Sequence, residues 1–247
     1  MSNSLVIIPT YNEKENIEAI VRRVFALKSD FHVLVVDDNS PDGTSEIVTE
    51  LQKEYGEALL LLTRKNKTGL GTAYIAAFKY ALTHHYEYIF EMDADFSHNP
   101  KDLIRLKHAC EKEGYDLAVG SRYVKGVNVV NWPLARVLLS YFASIYVRFL
   151  TGMTIKDPTA GFKCYKRKVL ETINLDGIKF IGYAFQIEMK FSAWKHGFKI
   201  TEVPIIFTDR TKGTSKLSKG IIKEGVFGVL KMKVRSWFKT YKNINQT

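Results

Sequence analysis

The sequence predicts an α/β fold: a Rossmann-like, mostly parallel sheet flanked by helices. Three observations lead there. Short apolar runs recur at residues 5–8, 32–36, 59–62, 88–92 and 116–119. Helix-like segments separate them, at 14–27, 42–54 and 72–83 and from Pro100 onward. The loops between are polar and carry Gly, Pro or Asp. Runs that are apolar on both faces read as parallel strands covered by helices. Right-handed crossovers then gather the loops after the strands on one edge, where open α/β sheets bind ligands.

Taken in order, the first strand (5–8) leads into Pro9-Thr10-Tyr11-Asn12-Glu13, and Tyr11 offers a flat face for stacking on a base. Asn12 with Glu15 reads as a capping box for the following helix. The second strand (32–36) ends in Asp37-Asp38-Asn39-Ser40-Pro41-Asp42-Gly43-Thr44. An acid there is placed to bond ribose hydroxyls or a base edge, and Asp42 or Thr44 is available as a helix cap. The third strand (59–62) leads to Arg64-Lys65-Asn66-Lys67-Thr68-Gly69-Leu70-Gly71, whose backbone N–H groups suit a phosphate or ribose edge. No Gly-Lys-Ser/Thr follows, so it is not a Walker A loop, and Gly69-x-Gly71 does not complete a dinucleotide fingerprint.

The fourth strand (88–92) ends in Asp93-Ala94-Asp95. In extended chain the two acids share one side, their α-carbons about 7 Å apart. Two carboxylates held so close repel, and a hard divalent cation carrying a diphosphate relieves that repulsion. The fifth strand is 116–119. Beyond Arg122 the pattern changes to an apolar helix-like stretch at 132–150, a segment centred on 157–165, a helix at 183–195 and a strand at 199–203. Residues 217–242 mix apolar side chains with Lys and Arg. The expected organisation is one catalytic domain, residues 1–216, with an amphipathic, basic helical extension at 217–247.

Composition narrows the partners. A net charge of +10 from 36 Lys and Arg favours anionic ligands. Nucleic acid is a poor fit, because the strand-end loops are acidic and the cations interleave late with apolar residues. Cys110 and Cys164 have no metal-ligand spacing and suit a reducing setting. The first residues do not resemble a signal peptide. Residues 137–150, interrupted by Arg148, read as too short for a membrane span.

With Gly120-Ser121-Arg122-Tyr123 and Asp157-Pro158-Thr159-Ala160-Gly161-Phe162, the ordered motifs resemble the family 2 glycosyltransferases of GT-A fold. Within them the match is to the dolichol- or polyprenol-phosphate mannose synthase branch, over roughly residues 5–216. The resemblance implies a nucleotide-sugar donor, with Pro9, Tyr11, Glu13, Asp37 and Asp93 around the nucleotide. It places Asp93 and Asp95 at Mg²⁺ or Mn²⁺, with Ser97 where some relatives supply a Gln ligand. Asp95, Arg122, Arg210 and Lys216 take the catalytic roles, the cations on donor and acceptor phosphates. Gln186 and Glu188, with Arg136, are candidates for sugar and acceptor contacts.

Transfer from a nucleoside diphosphate develops charge on the departing diphosphate, which a cation and Arg/Lys donors stabilise. A lipid phosphate is largely ionised at neutral pH, so no general base is nominated. The leading expectation is inverting transfer of mannose from GDP-mannose to a dolichyl or polyprenyl phosphate. The alternative is a UDP-sugar donor (glucose or N-acetylglucosamine), with a polyprenyl phosphate or a glycan hydroxyl as acceptor. The chain resembles the short type without appended spans, a peripheral enzyme on the cytoplasmic face of a membrane, acting alone or with a separate membrane-anchoring subunit. Residues 131–150 and 221–241 are the expected docking stretches.

Overall fold

The computed structural model describes residues 2–210 and 219–241. Seven strands form the main sheet in the order β3-β2-β1-β4-β7-β5-β8. They are β1 (Ser4–Thr10), β2 (His32–Asp37), β3 (Leu59–Thr63), β4 (Tyr88–Glu91), β5 (Leu117–Ser121), β7 (Lys163–Lys166) and β8 (Ile200–Pro204). All pairs are parallel except those of β7, which runs antiparallel between β4 and β5. A two-stranded ribbon, β6 (Val129–Val130) with β9 (Phe207–Thr208), stands beside the sheet.

Side-chain alternation builds a core on each face. On one side Val6, Ile8, Val33 and Val35 pack against α1 (Ile17–Phe25), α2 (Thr44–Tyr55) and α4 (Asp102–Glu111). On the other, Leu5, Ile7, Leu34 and Val36 meet α3 (Leu70–Leu82), α6 (Arg167–Thr172) and α7 (Ala184–Lys195). A third cluster joins α5 (Leu134–Thr151), α7 and α8 (Lys219–Ser236) through Val147, Ile187, Phe191, Val229 and Met232. Helix α8 therefore packs on the same body as the sheet. The boundary expected at residue 216 falls outside the described residues.

Four details differ from the sequence reading. Helix α1 begins at Ile17 with Asn16 as its cap residue, and the Asn16 amide donates to Glu13 Oε2. Asn12 instead takes a left-handed turn (φ 57°), and its N–H donates to Ser40 Oγ, so no capping box forms. Strand β7 replaces an unassigned segment. Helix α5 runs Leu134–Thr151, so the apolar stretch read at 137–150 as too short for a span belongs to 18 residues of mean hydropathy 1.3, long and apolar enough to cross a membrane by length and composition.

Candidate active site

The sheet's connections reverse direction between β1 and β4, since β2 and β3 lie on one side of β1 and β4 on the other. The loops after β1 and β4 diverge there and open a crevice, the place where such sheets hold ligands. Thr10 pairs with Asp37 across β1 and β2, and the Met92 N–H donates to Ile7 O. Pro9, Tyr11, Glu13, Asp37, Asp38, Asp93 and Asp95 are thus delivered to one edge.

Two adjacent acids play opposite parts at the β2 end. Asp37 is fully buried and accepts from Thr10 Oγ1, Ser40 N, Ser40 Oγ and Ser45 Oγ. It ties the loops together and has little capacity left for a nucleotide. Asp38 lies 3.3 Å from Arg64 Nε without making a hydrogen bond. Its Oδ1 and Arg64 Nη1 are buried polar atoms with no hydrogen-bond partner among the described residues. Burial pushes the Asp38 carboxyl up, with Arg64 opposing. A buried acceptor and a buried donor left without hydrogen bonds side by side have capacity for a ligand. Asp42, the third acid, accepts from Thr44 N, Thr44 Oγ1 and Lys14 N and holds the turn. Nearby, Lys67 sits 4.0 Å over the Tyr11 ring.

One N–H of the glycine loop is turned away from this edge. The Gly71 N–H donates to Ile181 O. A Cβ on Gly69 would come within 2.7 Å of Ile181 O, and one on Gly71 within 2.7 Å of Phe180 O. A Cβ on Gly228 of α8 would lie 2.5 Å from the opposite side of Phe180. Segment 178–182 is therefore held by its carbonyls against the start of α3 and by its Phe180 ring against α8.

At the β4 end, the Asp93 side chain is 37% exposed, while that of Asp95 is 7% exposed. Burial, then Asp95 and Glu91, push the Asp93 carboxyl up to about 7. Asp95 Oδ1 accepts from Ser97 N, and its Oδ2 meets Arg210 Nη2 at 3.0 Å. His98 is not a counter-cation for Asp93. Its Nδ1 accepts the Asp93 N–H and burial pulls it down to about 4, so the ring, stacked on Phe162, is neutral. No group of three His, Cys, Asp or Glu is arranged around a metal among the described residues. Mg²⁺ and Mn²⁺ sites fed by a diphosphate need only one or two carboxylates, the phosphates and water completing the shell. The strained Asp93–Asp95 pair fits that donor set, and Ser97 lines the same cavity.

That cavity, about 460 Å³, is where most of the expected side chains converge. Asp93, Asp95, Ser97, Arg122, Arg136, Gln186 and Arg210 line it, against Leu139, Phe142, Tyr146 and Val226 of α5 and α8. Arg122 is held rigidly. Its Nε and Nη2 meet the two Asp157 oxygens at 2.7 and 2.6 Å, Nη2 also reaches Thr159 Oγ1, and its N–H donates to Asp157. Burial alone would push Asp157 up, but Arg122 holds it below the usual carboxylate range. Nη1 alone of this guanidinium makes no hydrogen bond among the described residues. Arg136 stacks 4.1 Å over Trp132 and donates to Asp209 at 2.8 Å.

Two expected sugar contacts are engaged inside the protein. Gln186 is buried, accepting from Lys163 Nζ and donating to Glu91 Oε2 at 2.7 Å, in a network with Tyr165. Only its edge reaches the cavity. Glu188 accepts from Lys179 N and Phe180 N and lies away from the cavity, fixing the clasped segment. Lys216 lies outside the described residues.

The outer faces of α5 and α8 are apolar and exposed. Leu134 (72%), Phe142 (60%) and Phe149 (85%) on α5 match Phe227 (64%) on α8 and Trp237 (68%) and Phe238 (85%) just past its end. Tyr146 Oη bridges the helices to Val226 O at 2.8 Å.

The profile of glycosyl transferase family 2 matches residues 5–173. The polyprenol monophosphomannose synthase of Mycolicibacterium smegmatis is 47% identical over 232 residues, covering 94% of this chain and 87% of the relative. The undecaprenyl-phosphate mannosyltransferase of Micrococcus luteus is 43% identical over 225 residues, covering 91% of each. Among solved structures, a glucosyl-3-phosphoglycerate synthase from Mycobacterium tuberculosis with Mn²⁺, UDP and phosphoglyceric acid superposes with TM-score 0.67 at 17% identity, covering 93% of this chain and 77% of that one. A mannosyltransferase from Pyrobaculum calidifontis with GDP-Man and Mn²⁺ gives TM-score 0.61 at 17% identity, covering 98% and 66%. At that identity the likeness is one of fold.

Proposed function

The chain belongs to glycosyl transferase family 2, and from that premise we propose that it transfers mannose from GDP-mannose to a polyprenyl phosphate with inversion. The observation that carries this reading is one continuous cavity. It runs from Asp93, Asp95 and three arginines to the apolar side chains of α5 and α8. A lipid phosphate has that same polarity, an anionic head on an apolar tail.

The residues divide the work. Asp38 and Arg64 receive the base edge, and Tyr11 flanks it. Asp93 and Asp95, with Ser97 nearby, hold the divalent cation, which when bound neutralises charge on the departing diphosphate. Arg210 and Lys216 add donors to that diphosphate, and Arg122 Nη1 and Arg136 receive the acceptor phosphate. Two arginines at the acceptor site favour the fully ionised phosphate, whose last proton (second pKa near ~6) goes to solvent before the lipid phosphate binds. His98, neutral and already accepting a hydrogen bond, is not needed as a base. The phosphate oxygen attacks the anomeric carbon as the diphosphate oxygen leaves, a single displacement that inverts configuration.

The apolar faces of α5 and α8, flanked by Lys231, Lys233, Arg235 and Lys239, dock on an anionic membrane surface. On this reading the enzyme is peripheral, on the cytoplasmic face where nucleotide sugars are held. The test incubates the protein with GDP-mannose, UDP-glucose or UDP-N-acetylglucosamine, with and without polyprenyl phosphate, in Mg²⁺, Mn²⁺ or EDTA. Mannosyl lipid from GDP-mannose, lost in EDTA, is expected. Product from a UDP-sugar in its place overturns the donor assignment.

A further inference from the structure

Asp95 is a carboxylate with both oxygens already spoken for. Oδ1 accepts the Ser97 N–H, and Oδ2 is paired with Arg210 Nη2 at 3.0 Å. The pair is nearly dry, with side-chain exposures of 7% and 19%, so its charges are weakly screened. Arg210 is also anchored close by. The Thr208 N–H donates to Ser97 O, and the Arg210 N–H donates to the Asp209 carboxylate. Its guanidinium lies on Asp95 Oδ2, an oxygen that a bound cation would also use.

We propose that Arg210 is the resident counterion of the metal-free site, and that it makes the site select the metal–diphosphate complex over the free divalent cation. This rests on reading Asp93 and Asp95 as the metal carboxylates. A bare Mn²⁺ approaching Asp95 meets a positive charge already paired there and has to break that ion pair. A diphosphate arriving with the metal offers the guanidinium a new anionic partner, bidentate if the geometry allows. The swap exchanges one ion pair for two. Metal and nucleotide then strengthen each other, and linkage requires the same factor in both directions. Asp93, the more open acid, is the point of first contact.

The test measures binding and needs no turnover. Free Mn²⁺ is followed by its solution EPR signal, alone and with GDP, and GDP binding by calorimetry with and without Mn²⁺. Wild type is expected to bind Mn²⁺ alone weakly and about tenfold or more tightly with GDP, with the reciprocal gain for GDP. Arg210→Gln should raise affinity for Mn²⁺ alone about tenfold and shrink the mutual gain, while Arg210→Lys keeps Mn²⁺-alone binding weak. Arg23→Gln removes a cation that lines a cleft with Asp95 without pairing to it, and should leave Mn²⁺ binding within about twofold. If Arg210→Gln leaves Mn²⁺-alone affinity unchanged, or Arg23→Gln raises it equally, the counterion role is overturned. Asp95→Asn separates the two ideas. Loss of Mn²⁺ from that variant upholds the metal reading even where the Arg210 result goes against the counterion, whereas unchanged Mn²⁺·GDP binding sinks both. Thermal melts of each variant confirm that the folded protein is being titrated.

Discussion

Two arginine–carboxylate pairs border the same cavity and behave differently. Arg122–Asp157, on the wall built from the β5 end and the 157–161 turn, has two parallel side-chain bonds, a backbone bond and Thr159 in support, and Asp157 is fully buried. Arg210–Asp95, where β9 meets the β4 loop, is joined end-on at 3.0 Å beside the half-open Asp93. The first pair is scaffold, because breaking it strands a buried charge. The second has somewhere else to go. Asp37 and Asp38 repeat the contrast in adjacent residues, one with four internal donors and one with an orphaned oxygen. Within this site, carboxylates held by several buried bonds build it, and those held by an exchangeable contact or left short of one work in it.

The sharpest way to break this comparison is Asp157→Ala. Removing one partner of a buried pair is expected to cost about 3–5 kcal/mol in chemical denaturation. The acid branch has the same origin. Asp157 is held below the usual carboxylate range, so its contribution is complete above that range and is lost as pH falls through its lowered value. Wild-type stability should therefore decline at strongly acid pH, and this component of the decline should vanish in Asp157→Ala; persistence of the full acid slope would place the effect elsewhere.

Next in size is a catalytic loss without a stability loss. Asp95→Asn should reduce turnover by about 100-fold or more while its melting temperature stays near wild type. A variant that unfolds instead would move Asp95 into the scaffold class. Asp38→Asn is expected to weaken GDP binding about tenfold, the loss of a charged hydrogen bond, and Ser45→Ala beside Asp37 to do much less. Equal effects at both sites would erase the distinction between the two acids. The smallest change belongs to the apolar face. Phe149→Ser should lower affinity for anionic vesicles only several-fold, about 1 kcal/mol, since a ring seated partway into the surface gains less than the ~1.5–3 kcal/mol of full burial. Adding Phe238→Ser should compound it, and unchanged vesicle binding in the double variant would remove these faces from the docking surface.

The parallel half of the fold was legible because β1 to β4 obey simple rules, apolar runs with strand-end loops that carry Pro, Asp and Gly. β7 was not. Lys163 and Lys166 bracket only two other residues, and Lys163 is buried only because Glu91 and Gln186 wait for it across the sheet. No local pattern announces a lysine that tertiary partners will satisfy. The site followed the same division. Ordered motifs brought Asp93, Asp95 and Arg122 to one cavity, as their positions at strand ends require. Side-chain direction decided the rest. Glu188 sits one turn from the cavity-lining Ala184 yet turns to Lys179 and Phe180, and the Gly69-Gly71 loop turned out to be a close-packing device.

That close packing has a mechanical consequence. Segment 178–182 is gripped from both sides at positions where a side chain has no room, Gly69 and Gly71 on α3 and Gly228 on α8. Helix α8 is thereby coupled to the start of α3 through the Phe180 ring on one flank and the Phe180 and Ile181 carbonyls on the other. A chain cut before α8 will register the loss at the far end of this linkage, as faster amide exchange at Gly71, the residue whose N–H is held by Ile181 O. Whatever seats α8 on a surface will tighten that same amide.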